Sequence, residues 1–303
     1  MGAQGRILRL AVTAGDPFGI GPEVCLKAMA GIEAELTFYG DARGLRGARR
    51  VVDVPYEGAA PVPAGPSANG GKASLDALAR ALDDIKAGRQ DALVTAPISK
   101  ESCALAGGEA DGHTPLLGRA FGVREPLMAF AWDDDEPVVA LLTTHIPLRA
   151  VPSTLTSDRV EGAVRLLHRS LTGGFGRATP RIGVLGLNPH AGEGGLLGTE
   201  ESDFVEPAVA RLRAEGLDVE GPLPADTAFA RRKRYAGLLA LYHDQGLAPV
   251  KALAFDRAVN ITLGLPVVRT SPCHGTAFDI AGKGVADPSS MRAALRWAMR
   301  LAR

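Results

Sequence analysis

The strongest constraint on the fold is a rhythm. Short aliphatic runs break off at glycine, proline or a polar turn and alternate with stretches of helical periodicity. Runs at 7–14, 35–39, 51–54, 91–95, 126–132, 138–144, 182–187, 237–242, 259–263 and 267–270 read as strands. Segments 24–29, 74–86, 157–171, 200–214, 247–255 and 289–301 read as helices. Strands alternating with helices predict an α/β/α sandwich. The strands at 126–132 and 138–144 flank the acidic run Asp133-Asp-Asp-Glu136, which reads as a solvated hairpin turn, so the sheet is expected to be mixed. Residues 58–71 read as a surface loop. Local details follow: Pro22 in a first helical turn, Thr114 as a cap with Pro115 behind it, Ser157 as a cap, and Pro249 in a first turn.

The chain has 303 residues, enough for one large domain or two packed ones, and no flexible linker divides it. Lys plus Arg (34) equal Asp plus Glu (34), which argues against general binding to nucleic acid or a membrane surface. No apolar run has transmembrane length. Cys25, Cys103 and Cys273 lack paired spacing, so neither a disulfide framework nor a cysteine zinc site is expected. The first residues run into a strand and not into a signal-peptide apolar region. The expected location is the cytoplasm.

The commonest labels for an α/β enzyme do not apply. Glycines at 15, 19 and 21 have the wrong spacing for a dinucleotide turn, and Gly282-Lys283 lacks the rest of a phosphate loop. There is no Gly-x-Ser-x-Gly elbow and no His-Glu-x-x-His.

What the chain does carry is histidine at strand exits. His145, His190 and His243 each follow a predicted strand, and in an open parallel sheet ligands bind at those ends. Three imidazoles plus water or substrate suit a catalytic divalent metal. Asp226 and Asp244 lie near His243 in sequence and can orient a ligand imidazole through its second ring nitrogen. Glu193 follows His190 by three residues. His168, inside a helix, reads as structural. His113 opens a helix, where anions bind or a cap sits. Lys251, Asn260 and Arg269 suggest an anionic substrate. The loop His274-Gly-Thr-Ala-Phe-Asp279 through Gly284 is glycine-rich, with an aspartate able to take ribose hydroxyls.

Together these stretches resemble the 4-hydroxythreonine-4-phosphate dehydrogenase family. The matching pieces are Gly15-Asp-Pro-Phe-Gly-Ile-Gly-Pro-Glu23, Val94-Thr-Ala-Pro-Ile-Ser-Lys100, Gly112-His-Thr114, Thr143-Thr-His-Ile-Pro-Leu148, Leu187-Asn-Pro-His-Ala-Gly-Glu-Gly-Gly195, Gly221-Pro-Leu-Pro-Ala-Asp226, Tyr242-His-Asp-Gln-Gly246 and His274-Gly-Thr-Ala-Phe-Asp-Ile-Ala-Gly282. They keep family order along nearly the whole chain. The resemblance implies an isocitrate/isopropylmalate dehydrogenase-like fold with two subdomains, 1–125 plus 260–303 on the cofactor side and 126–259 on the dimer and metal side. It implies an active site between them, shared across a homodimer. Metal ligands map onto His145, His190 and His243, drawn from both monomers, with Zn, Mg or Co as the metal. Substrate contacts map onto His113, Thr114, Lys251, Asn260 and Arg269. NAD or NADP maps onto His274, Gly275, Thr276, Ala277 and Asp279. Lys251, Asp226 and Asp244 are the catalytic candidates, with the base either Lys251 or a hydroxide on the metal.

The implied reaction is oxidation and decarboxylation of 4-phosphooxy-L-threonine to 3-amino-2-oxopropyl phosphate in pyridoxal phosphate biosynthesis. The chain departs from the family at Pro115, where Glu is common, at Leu196-Leu197, where a polar pair is expected, and at Phe18 in place of Ala. Those positions bear on the substrate, so a sister dehydrogenase acting on threonate or erythronate 4-phosphate, or on a dihydrodiol dicarboxylate, is the near alternative. The histidines alone also permit a metal-dependent hydrolase or lyase without nucleotide. A non-catalytic metabolite-binding module sits poorly with the retained His, Lys and Arg set.

Overall fold

The computed structural model describes residues 6–58, 60, 64–108 and 112–303. Of the loop read over 58–71, residues 59 and 61–63 lie outside that range, as do residues 1–5. In chain order the elements are β1 (Arg9–Thr13), α1 (Gly21–Ala28), β2 (Glu35–Gly40), β3 (Val51–Asp53), α2 (Ala68–Lys86), β4 (Ala92–Thr95), α3 (Lys100–Leu105) and α4 (His113–Phe121). Next come β5 (Leu127–Ala131), β6 (Val138–Leu141), α5 (Val151–Thr154), α6 (Ser157–Thr172), β7 (Ile182–Leu185) and α7 (Glu206–Ala214). After these follow β8 (Val219–Leu223), α8 (Ala225–Ala230), β9 (Gly237–Ala240), α9 (His243–Ala254) and β10 (Val259–Leu263). The chain closes with β11 (Val268–Pro272) and α10 (Ser289–Leu301). Contacts divide it into unit 1, Met1–Arg124 with Leu265–Arg303, and unit 2, Glu125–Gly264.

Unit 1 has strand order β3-β2-β1-β4-β11, parallel throughout. Its strands are apolar on both faces, as a doubly covered sheet requires. Ala11, Tyr39 and Leu93 pack with Ala77, Leu78, Ala81, Leu82 and Ile85 of α2. The alternate residues, Leu10, Val12 and Val94, turn to the other face. Thr270 stands opposite Val94 and donates its hydroxyl to Ala294 C=O, which places α10 on that second face.

Unit 2 has strand order β10-β5-β6-β9-β7-β8. The β5–β6 hairpin is antiparallel, as is β10–β5, whereas β6, β9, β7 and β8 run parallel. The sheet is mixed, as the sequence suggests. Two glycines let helices approach it. A Cβ on Gly237 would lie 2.9 Å from Leu171 of α6, and one on Gly246 of α9 would lie 2.4 Å from Leu141 of β6.

Several local expectations need correction. Helix α2 begins at Ala68, not 74, because Ser67 caps it by accepting from Gly70 N–H at 3.1 Å. Its Gly70 and Gly71 are there for close packing, not for a turn: a Cβ on Gly71 would lie 1.9 Å from Ser102 C=O. Thr114 does not cap α4; Gly112 takes the cap position with no side-chain bond. Thr156, not Ser157, caps α6, while the Ser157 hydroxyl donates to Phe204 C=O. Helix α9 starts at His243, so Pro249 lies in its interior. The acidic turn is more than solvated: Glu136 is buried and takes both arms of Arg232 at 2.5 and 2.9 Å. Strand β8 and helices α3, α5 and α8 are not among the elements the sequence predicts. None of the three cysteines is in a disulfide, and burial pushes the Cys25 thiol up to about 12. Among the described residues no helix is long and apolar enough to cross a membrane.

The two kinds of helical glycine give opposite expectations. Gly162, in α6, has open space where a Cβ would go, so Gly162→Ala should stabilise by up to about 1 kcal/mol through helix propensity. Gly71→Ala gains the same propensity but drives a methyl into the α3 backbone, and overpacking of about 1–3 kcal/mol or more should leave it net destabilised. Urea unfolding of the two variants beside the parent chain measures both signs.

Candidate active site

In unit 2 the parallel register sets the frame. Leu141 of β6 stands beside Ala240 of β9, and Val184 of β7 beside Leu239, so three neighbouring strands end at one edge. His145 leaves β6 there and His243 leaves β9. Their rings lie 5.5 Å apart between centroids, tilted 44°. His243 Nδ1 is 2.6 Å from Asp244 Oδ1, which directs Nε2 to any outside ligand.

His190 follows β7 in a turn of unusual handedness. His190, Ala191 and Glu193 have φ of 53°, 54° and 46°, with Gly192, Gly194 and Gly195 also left-handed. Non-glycine residues there cost roughly 1–2 kcal/mol each, so something must over-determine the turn. That is Glu201, a buried carboxylate in the π turn at Glu201–Val205, which accepts from Asn188 N–H at 2.7 Å and from Asn188 Nδ2 at 3.0 Å. A Cβ on Gly192 would lie 2.8 Å from the same carboxylate. The turn presents His190 to solvent with Nδ1 2.6 Å from Glu193 Oε2, the arrangement seen at His243. His190 is not gathered with the other two: among the described residues no group of three or more His, Cys, Asp or Glu could hold a metal ion.

The exits of β7 and β9 are tied by a residue the sequence reading passed over. Buried Gln245, in the first turn of α9, accepts from Leu241 N–H at 2.7 Å and donates to Gly186 C=O at 2.6 Å. Its signal was present inside Tyr242-His-Asp-Gln-Gly246. Farther along α9, half-buried Lys251 has its Nζ 6.0 Å from the Phe255 ring centroid. Asp226, in the first turn of α8, is exposed. Asn260, in β10, has its Oδ1 enclosed without a hydrogen-bond partner. A buried amide oxygen left so is costly unless a ligand completes it.

Unit 1 contributes a cationic corner. Arg269 of β11 is 2% exposed and donates to the Thr95 hydroxyl of β4 at 2.7 Å. Burial pushes its guanidinium down to about 9, still charged at neutral pH. His113, at the start of α4, has its Nε2 enclosed with no partner. Burial first, and then the Arg269 charge, hold its imidazole well below the ordinary 6.5 and therefore neutral. A neutral ring beside a buried cation can bind an oxyanion without a second positive charge. Thr114 is half-buried next to it.

The glycine-rich loop is also in unit 1. His274 Nδ1 is 3.0 Å from Gly275 C=O and its Nε2 is enclosed without a partner. Thr276 and Ala277 are half-buried, Ala277 is left-handed at φ 43°, and Asp279 sits exposed in a short 3-10 turn. A cavity of about 240 Å³ opens at the ends of β1 and β2, lined by Gly15, Gly40, Asp41, Arg43 and Tyr56 among others. Gly15, Pro17 and Pro22 of the Gly15–Glu23 stretch line it, whereas none of the candidate catalytic, substrate, cofactor or metal residues does.

Comparison with known proteins adds a frame. Residues 17–298 match the family model described as pyridoxal phosphate biosynthetic protein PdxA. The 4-hydroxythreonine-4-phosphate dehydrogenase of Methylorubrum populi is 45% identical, over 97% of this chain and 94% of that protein. The crystal structure of 4-hydroxythreonine-4-phosphate dehydrogenase from Klebsiella pneumoniae superposes with a TM-score of 0.87 at 37% identity, covering 99% of each chain. A terephthalate 1,2-cis-dihydrodiol dehydrogenase from Burkholderia xenovorans superposes at 0.68 with 31% identity, over 97% of this chain and 98% of that one. The fold is of the isocitrate/isopropylmalate dehydrogenase type. A β-decarboxylating dehydrogenase of Thermococcus kodakarensis shares it at 19% identity and a TM-score of 0.51, a likeness of fold alone, covering 97% of this chain and 82% of that one.

Two measurements test this geometry. Folded His113 binds its proton more weakly than the unfolded chain does, so stability should fall as pH drops below 6.5, where only the unfolded state takes up the proton. Relative to the parent, His113→Gln should flatten that loss by up to one proton, about 1.4 kcal/mol per pH unit. Urea unfolding at several pH values between 7.5 and 5 reads the slope. Separately, Gln245→Leu leaves Leu241 N–H and Gly186 C=O without their partner, at roughly 1–3 kcal/mol each, and should lower the denaturation midpoint by several degrees.

Proposed function

The chain belongs to the family of the pyridoxal phosphate biosynthetic protein PdxA, and from that premise we propose that it oxidises and decarboxylates 4-phosphooxy-L-threonine to 3-amino-2-oxopropyl phosphate with NAD or NADP and one divalent metal. The observation that carries the reading is the imidazole pair, His145 and His243, at the ends of neighbouring parallel strands. The donor set fits a divalent metal such as zinc, cobalt or magnesium. At both His190 and His243 a carboxylate takes Nδ1, leaving Nε2 to coordinate.

When bound, the nicotinamide supplies the hydride acceptor and the metal supplies Lewis acidity at the substrate hydroxyl. The chain's own residues do the rest. His145 and His243 hold the metal with His190 from a second protomer, which is why one chain gathers only two. Leu148, Leu196 and Leu197 are exposed at 67, 82 and 47%, apolar surface beside the His145 and His190 turns that a homodimer would cover. Arg269 and neutral His113, with Thr114, hold an anionic end of the substrate. Asn260 offers its unsatisfied amide oxygen, and the Lys251 amine would accept the hydroxyl's proton as the carbonyl forms. Asp226 and Asp244 support the histidines. The resulting β-keto acid loses carbon dioxide. The loop at His274, Gly275, Thr276, Ala277 and Asp279 holds the nucleotide on the unit 1 side. We place this chemistry in the cytoplasm.

The likeness to a dihydrodiol dehydrogenase makes a different acid the second reading, so substrates should be compared directly by the rise of reduced-nicotinamide absorbance. The expected order puts 4-phosphooxy-L-threonine well ahead of four-carbon acid-sugar phosphates and of dihydrodiol dicarboxylates. Chelator should abolish turnover and a divalent cation restore it. His190→Ala and His243→Ala should each cost on the order of a hundredfold in kcat/KM, about 2.7 kcal/mol. Mixed into hybrid dimers, the two dead variants should recover activity, because one site then has all three imidazoles. Full turnover after chelation, or no recovery on mixing, would overturn the metal or the shared-site assignment respectively.

A further inference from the structure

Within the candidate nucleotide loop the backbone bonds run from Ile280 N–H to Ala277 C=O, Ala281 N–H to Phe278 C=O and Lys283 N–H to Ile280 C=O, all in its middle. Gly275, Gly282 and Gly284 have nothing within 4 Å of where a Cβ would lie. What fixes the loop's two ends is α1 and the turn before it. At one end, Ile20 N–H donates to Thr276 C=O at 2.9 Å, and Gly19 must lack a side chain because its Cβ would lie 2.8 Å from that same oxygen. At the other end, Lys27 Nζ donates to Gly284 C=O at 2.8 Å and to Ala286 C=O at 3.0 Å. Glu23 completes the closure: its Oε1 accepts from Lys27 at 2.7 Å and from Ala286 N–H at 2.9 Å. The i,i+4 spacing of Glu23 and Lys27 keeps both on one face of α1.

We propose that Glu23 and Lys27 are positioning residues, a clasp on α1 that sets the affinity for the nicotinamide nucleotide by fixing both ends of its loop. The inference rests on the reading that this loop holds the nucleotide. Neither residue needs to touch the cofactor. A floppy loop must be ordered on binding, and that ordering weakens affinity; a loop already strapped to a helix has been ordered by folding. The backbone carbonyls that Lys27 engages are the C-terminal anchor. Losing them should loosen Ala281 to Val285 while leaving the cationic corner at Arg269 untouched.

The experiment is NAD and NADP binding by calorimetry, with steady-state kinetics and melting midpoints, on the full-length protein. Lys27→Met should weaken nucleotide binding about tenfold and raise nucleotide KM alike, while KM for the phosphorylated acid stays within about twofold. Lys27→Arg, which can still span Glu23 and Gly284, should restore most of the affinity. Glu23→Gln gives an independent arm should Lys27→Met fold poorly, with the same direction and a smaller loss. Asp279→Ala, inside the loop, separates the two ideas. If it weakens nucleotide binding and Lys27→Met does not, the clasp is wrong and the loop assignment stands. If neither moves it, the loop does not hold nucleotide and both fall. If substrate KM and nucleotide KM rise together, with no rescue by Lys27→Arg, the pair is merely structural.

Discussion

Gln245 carries both the Leu241 N–H and the Gly186 C=O on one buried amide, and the geometry of the edge where unit 2's parallel strands end hangs on that arrangement. The strands that end there could leave the sheet in many directions. An amide that must satisfy one exit as acceptor and the other as donor fixes their relative height, because neither bond can be surrendered to water in the core. The first turn of α9 is thereby pinned to β9, and His243, its first residue, is pinned with it. The β7 exit is pinned at Gly186, two residues before Asn188, where Glu201 takes over. Two buried polar side chains thus aim two imidazoles, His190 exposed and His243 half-buried.

Unit 1 uses charge differently. Arg269 is buried without losing its proton, and its cost is moderated by the Thr95 hydroxyl and by a neighbour that stays neutral. A protonated His113 would stack one buried cation against another. Keeping it uncharged preserves a hydrogen-bonding edge while limiting electrostatic repulsion.

The sequence made the framework legible because periodicity is a local property. Ten of the strands and the long helices announce themselves by the spacing of apolar residues, and the strand-exit histidines follow from where parallel strands end. What stayed hidden depends on distant partners. Strand β8 contains Gly221-Pro222, which reads as a turn until β7 is there to pair with it. The first turn of α2 carries Asn69-Gly70-Gly71, which reads as loop until the α3 backbone explains the glycines. Glu201 and Gln245 look like surface residues in one dimension, since nothing in the local pattern says that a charge or an amide will be buried. The left-handed turn at His190 was readable only as a glycine cluster; that His190, Ala191 and Glu193 share its conformation is a tertiary fact.

The division of the chain has a temporal side. Unit 2 is one continuous stretch, 125–264, whereas unit 1 is assembled from the first 124 residues and the last 39. Strand β11 and helix α10 belong to that last portion, so β4 and the second face of its sheet stay uncovered until residues 268–301 have been made. Domains fold as units as they emerge. Unit 2 can be complete while the first-made part of unit 1 still waits for its closing strand. The Arg269–Thr95 bond, spanning the earliest and latest segments, is then among the last polar contacts to form, and a chain truncated near its end would lose the cationic corner before it lost the histidines.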